Sequence, residues 1–161
     1  MTDLDFDIVP PSAIQSGRAT DAYFDRTEST LRASERNPQV TAEVTADQFP
    51  DGEFELLAGI KAAAALLADR AVDVDAIPPG RLFDGGPVLR IEGPYLTFAR
   101  LETSLLGLLS HASGIATAAL EARQAAPDSS VLSFGARHVH PSMAAVVERS
   151  ALIGGVDGFS H

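Results

Sequence analysis

The stretch TFARLETSLLGLLSHASGIATAALEARQAA, residues 97–126, constrains the fold more than any other part of the chain. Phe98, Leu101, Leu105, Leu108, Ala112, Ile115 and Ala119 recur at steps of three and four. That spacing predicts one long helix with a continuous apolar stripe, and such a stripe requires a second layer to cover it. The middle of the stretch, SHASG, is built from small side chains around His111. Small side chains let another backbone come close; Gly114 otherwise costs a helix about 1 kcal/mol relative to alanine.

The flanking sequence supplies the other layer. QVTAEVTADQ alternates and is β-branched, so it reads as a strand. VDVDAIPPGRLFDGGPVLRIEGPY has short β-like runs cut by Pro-Pro-Gly, Asp-Gly-Gly and Gly-Pro, the texture of small strands in a compact sheet. TDAYFDRTESTLRAS reads as a helix capped by Thr20, with Tyr23, Phe24, Thr27 and Leu31 on one face. DGEFELLAGIKAAAALLADR reads as a helix throughout, from the spacing of Phe54, Leu57, Ile60, Ala64 and Leu67 and from its alanines. After the turn APDSS, VLSFGARHV is expected to be a strand over 131–139. PSMAAVVERSALIGG follows as a helix opened by Pro141 and closed by glycines. GGVDGFSH then looks like the start of the next strand of a βα series.

Composition narrows the function classes. The chain has 161 residues, enough for one ordinary domain, and is 45% hydrophobic, too apolar for a disordered acidic tail. It contains no cysteine, which rules out a disulfide framework and a thiol nucleophile within these residues. MTDLDFDIVPP lacks the pattern of a secretory signal and no run of apolar residues is read as a membrane span, so a cytoplasmic location is expected. The formal net charge is −10, and Lys61 is the only lysine beside eleven arginines. Such a surface repels nucleic-acid phosphates and anionic lipid, and no nucleic-acid or membrane partner is expected. Acidity together with lysine scarcity fits a halophilic-type surface.

Candidate chemistry concentrates in FGARHVHP, residues 134–141. Arg137 and His138 fall near the C-terminal end of an expected strand, where α/β folds bind ligands. Two readings of Arg137 stand: a planar fork for a carboxylate or phosphate, or a surface arginine paired with a nearby carboxylate. His138 and His140 have no third metal ligand close by in sequence, and no metal site is expected. Ser133 and Ser142 lie in nothing like a nucleophile elbow. FDGGP and IGGVDG hold glycine pairs that signal turns and lack the phosphate-loop patterns.

TDAYFDRT, PVLRIEGPY, ETSLLGLLSHASGIAT and VLSFGARHVHPSMAAVVERSALIGGVDGFSH, in this order, resemble the nicotinate phosphoribosyltransferase family. The long helix followed by an arginine-bearing strand is also similar to the related quinolinate enzymes. The resemblance implies an α/β fold: an α+β N-terminal domain over 1–126, including the long helix near 98–124, then the start of an irregular α/β barrel over 127–161. It implies transfer of phosphoribosyl from 5-phosphoribosyl 1-diphosphate to nicotinate, giving nicotinate mononucleotide in NAD salvage, with Mg²⁺ and ATP as cofactors. It further implies a homodimer in which the N-terminal domain of one copy completes the site of the other.

By motif position the resemblance places Tyr23 on one face of the nicotinate ring and Phe134 on the other. It places Arg137 and His138 at the carboxylate and phosphoribosyl end, and Asp157 near the substrate. Phe134 and Arg137 are an odd number of residues apart, so both can reach one ligand only if the strand ends near Gly135. The family runs on well beyond the length of this chain, and its phosphate loops and catalytic histidine lie there. The chain is therefore read as an N-terminal portion that is inactive alone; the competing reading is a non-catalytic ligand-binding or dimerisation module.

Overall fold

The computed structural model describes residues 8–46 and 54–160. A short helix α1 (Pro11–Gln15) leads into α2 (Ala22–Ala33). The cap of α2 is Asp21 rather than Thr20, and Thr20 Oγ1 is buried without a hydrogen-bond partner. Asp21 is held from the long helix instead: its N–H donates to Thr103 Oγ1 at 3.1 Å, and its Oδ2 accepts from the same hydroxyl at 3.0 Å.

The alternating segments form one antiparallel sheet in the order β1 (Gln39–Val44), β5 (Leu89–Pro94), β3 (Asp73–Ala76). Val44 lies opposite Leu89, and Asp73 opposite Glu92. Leu89 and Ile91 point inward from β5 while Arg90 and Glu92 face out, the period of two that a half-covered sheet requires. The inward side meets the long helix α5 (Glu102–Ala125), entered through α4 (Tyr95–Phe98) and a 3₁₀ turn over Ala99–Leu101. Leu57, Leu67, Leu89, Leu101 and Leu105 form the centre of this core.

The buried stripe runs from Leu101 of the 3₁₀ turn through Leu105, Leu109, Ala112 and Ala116 of α5, leaving Leu108 and Ile115 only half-buried. Leu109 and Ala116, one residue further on and about 100° round the helix, take the buried places expected for Leu108 and Ile115. With its lead-in turns, Tyr95–Ala125 is long and apolar enough to cross a membrane by length and composition, contrary to the sequence expectation. Its buried side chains are core residues of this domain.

Two of the expected secondary-structure elements are overturned as well. The helix expected over 51–70 begins only at Ile60: residues 51–53 lie outside the described residues, and Glu55–Leu56 is a strand, β2, paired with β4 (Leu82–Phe83). Hydroxyls on α5 hold this segment extended. Thr117 Oγ1 accepts from the N–H of Leu56 at 2.9 Å, and Ser113 Oγ accepts from the N–H of Ala58 at 3.0 Å. The chain then turns at Gly59, φ 83°, into α3 (Ile60–Leu67). A Cβ at Gly59 would lie 2.4 Å from the Leu108 carbonyl oxygen. The close approach expected at SHASG is therefore real and uses Leu108, Ala112 and Ser113, whereas Gly114 and His111 face outward.

The second correction is the strand over 131–139, which is only Leu132–Ser133, β6. It continues as a 3₁₀ turn over Gly135–His138, a second over Pro141–Met143, and helix α6 (Ala144–Ile153) packed on α5. The last strand, β7 (Gly158–Phe159), pairs with β6 in parallel, as the βα reading requires. Gly154 makes the packing possible: a Cβ there would lie 2.3 Å from the Ala116 carbonyl oxygen.

Candidate functional site

The site grows from the end of β6. Phe134 leaves the extended conformation (φ −114°, ψ 19°), and the chain closes into the 3₁₀ turn at once. Gly135 allows this because a Cβ would meet Val147 Cγ1 of α6 at 2.6 Å. The turn removes the parity problem of a strand. The Arg137 N–H donates to the Phe134 carbonyl at 3.4 Å, and the Arg137 guanidinium carbon lies 5.2 Å from the centre of the Phe134 ring. Arginine, ring and His138 thus share one exposed turn at the C-terminal end of a parallel strand. Stacking holds the guanidinium plane while leaving its N–H edges open to an anion.

His140 does a different job. Its Nδ1 accepts from the Ser142 N–H at 3.2 Å and lies 2.9 Å from Ser142 Oγ, which fixes the 3₁₀ turn that opens α6. Among the described residues no group of three or more His, Cys, Asp or Glu stands where it would hold a metal ion.

Tyr23 and Asp157 are not part of this cluster. Tyr23 is 51% exposed on α2, its ring centre 4.2 Å from that of buried Phe24. Its hydroxyl donates to Glu102 Oε1 at 3.3 Å, at the N-terminal end of α5. Desolvation, and then the Glu102 charge, raise its pKa above the usual phenol value. Asp157 sits just before β7, and its Oδ2 accepts from Arg123 Nη1 at 2.8 Å, at the far end of the same helix. Twenty-one residues at about 1.5 Å each separate Glu102 from Arg123, about 30 Å. Within one chain, Tyr23 and Asp157 cannot touch one small aromatic ligand. Sequence reasoning missed Arg123; its signal was a basic side chain in the last turn of a long helix.

The family profile described as quinolinate phosphoribosyl transferase, N-terminal domain, matches residues 21–113. That is more than half of the chain, and the chain belongs to this family. A curated relative, nicotinate phosphoribosyltransferase of Bos taurus, is 41% identical over 93 residues, covering 56% of this chain and 17% of its own. The solved structure of nicotinate-nucleotide pyrophosphorylase from Pyrococcus furiosus superposes with a TM-score of 0.94 at 44% identity, over 100% of this chain and 41% of that one. Human nicotinic acid phosphoribosyltransferase superposes with a TM-score of 0.75 at 28% identity, over 89% of this chain and 36% of that one. The resemblance read from the motifs is thus met by these similarities, and the chain spans well under half the length of each of these relatives.

Proposed function

We propose that this chain forms the N-terminal part of a nicotinate phosphoribosyltransferase of the cytoplasm, acting in NAD salvage. The observation that carries the reading is the Phe134–Arg137 stack at the C-terminal end of β6. Nicotinate is a flat ring bearing one carboxylate, and it needs an aromatic wall and a planar cation in one plane. Phe134 supplies the wall. The Arg137 fork takes the carboxylate, and His138 beside it faces the phosphoribosyl group. In a homodimer the exposed Tyr23 of a second copy covers the other face of the ring, which is why Tyr23 stands apart from Phe134 in the single chain.

With the carboxylate pinned, the ring nitrogen is presented to C1 of 5-phosphoribosyl 1-diphosphate. Its lone pair forms the new N–C bond as the C1–O bond breaks, and the electron pair leaves with diphosphate. The role of Phe134 and Arg137 is to hold that alignment. Family resemblance implies Mg²⁺ and ATP coupling, but the described residues offer no cluster that fits a metal.

A second reading takes quinolinate as the acceptor, favoured by the description of the matched family and by the solved pyrophosphorylase. Quinolinate carries a second carboxylate, and the turn offers only Arg137 and His138. Steady-state kinetics of the full-length protein separate these readings from a bland surface role. Arg137→Ala is expected to lower kcat/KM for nicotinate about ten- to a hundred-fold, the worth of a lost charge-assisted hydrogen bond. Arg137→Lys recovers little, because a point charge cannot replace the fork. Unchanged kcat/KM in Arg137→Ala would leave this arginine without a substrate role.

A further inference from the structure

We infer that Arg123 and Asp157 act together as positioning residues for the Phe134–Arg137 turn, and that Asp157 serves the site through this clamp rather than by touching substrate. The inference rests on the functional reading above. Arg123 reaches forward from the last turn of α5 and binds the whole connection to β6. Its Nη2 donates to the Ala126 carbonyl, and its Nη1 donates to the Ser129 carbonyl at 2.8 Å and to Asp157 Oδ2 at 2.8 Å. The same Asp157 oxygen accepts from the Val131 N–H at 2.8 Å, while the Asp157 N–H donates to the Val131 carbonyl at 2.8 Å.

One guanidinium and one carboxylate therefore tie together the end of α5, the start of β6 and the start of β7. The consequence follows from the shortness of β6. Only Leu132 and Ser133 separate the clamped Val131 from Phe134, and β6 is paired on one side by just two residues of β7. Two residues of extended chain span about 7 Å. A shift at Val131 is passed along this short strand to the aromatic ring and to the arginine stacked on it. Asp157 lies at the N-terminal ends of these strands, and Arg137 at the C-terminal end of β6. An aspartate already accepting from a guanidinium and a backbone N–H, at the opposite end of the strand pair, is placed to orient the site from behind.

The test is nicotinate binding by calorimetry to the full-length protein, with circular dichroism on every variant. Asp157→Ala and Arg123→Ala are each expected to weaken nicotinate binding about tenfold, the worth of about 1.4 kcal/mol. The double variant is expected to lose less than the sum of the two single losses, because the Arg123–Asp157 contact is already gone in either. Asp157→Asn keeps an oxygen that accepts from Val131 and Arg123, and is expected to stay within about threefold of wild type. Additive losses in the double variant, or Asp157→Asn as impaired as Asp157→Ala, would overturn the inference and give Asp157 a direct, charge-dependent contact. Wild-type affinity in Asp157→Ala would overturn it as well. Absence of nicotinate binding by the wild type would instead sink the functional reading, so the two failures are distinct.

Discussion

Three glycine-to-alanine substitutions measure how tightly the two layers meet. Gly59 combines a left-handed backbone, φ 83°, with a Cβ position 2.4 Å from the Leu108 carbonyl oxygen. Alanine in that conformation costs about 1–2 kcal/mol, and forcing atoms into a packed interior adds about 1–3 kcal/mol. Gly59→Ala is therefore expected to lose about 2–5 kcal/mol; at about 2–4 °C per kcal/mol for a domain of this size, that lowers Tm by several degrees to about 20 °C. Gly80 is the control, since its φ is 79° but the nearest atom to a Cβ is 4.0 Å away, so only the conformational part applies. Gly114 is the opposite control. A Cβ there meets nothing within 4 Å, and alanine is expected to stabilise α5 by about 1 kcal/mol. Urea and thermal unfolding followed by circular dichroism give all three. If Gly59→Ala loses no more than Gly80→Ala, the close contact between the start of α3 and α5 is wrong.

The remaining predictions concern charge. Hydrogen bonds from Arg32 and then Arg100 hold the Glu28 carboxyl below its ordinary pKa of 4.5. The folded state therefore binds that proton less readily than the unfolded chain. Its stabilisation is complete above that ordinary value and is lost as pH falls through the depressed folded value. Urea unfolding is expected to show wild type losing its advantage over Glu28→Gln on acidification, and a pH-independent difference would contradict this. The net charge of −10 makes self-repulsion a term in stability. Raising KCl from about 0.05 M to about 1 M shortens the Debye length to about 3 Å and is expected to raise Tm; a flat or falling Tm would argue against a halophilic-type surface.

The sheet and the long helix were legible because both signals are periodic: Val40, Ala42 and Val44 alternate with Thr41 and Glu43 in β1, and the α5 stripe runs over many turns. The parallel partner of β6 was legible from the glycines and the apolar step after α6. The 55–58 segment was hidden because its hydrogen bonds come from Ser113 and Thr117, more than fifty residues away, which no local propensity reports. The turn at Gly135 was visible only as a condition: Phe134 and Arg137 had to share a ligand. The contact that selects it, Val147 of α6, is again remote in sequence. Arg123 carried no motif, and its clamp on Asp157 appears only when the strand starts and the helix end come together.

Product formation tests the central claim most directly. Full-length protein is incubated with 5-phosphoribosyl 1-diphosphate, MgCl₂, ATP and either nicotinate or quinolinate, and the products are separated by chromatography with mass detection. The reading predicts nicotinate mononucleotide from nicotinate in wild type, a loss of about ten-fold or more in Arg137→Ala, and little turnover of quinolinate. Nicotinate mononucleotide formed from quinolinate with release of carbon dioxide, and none from nicotinate, would contradict it.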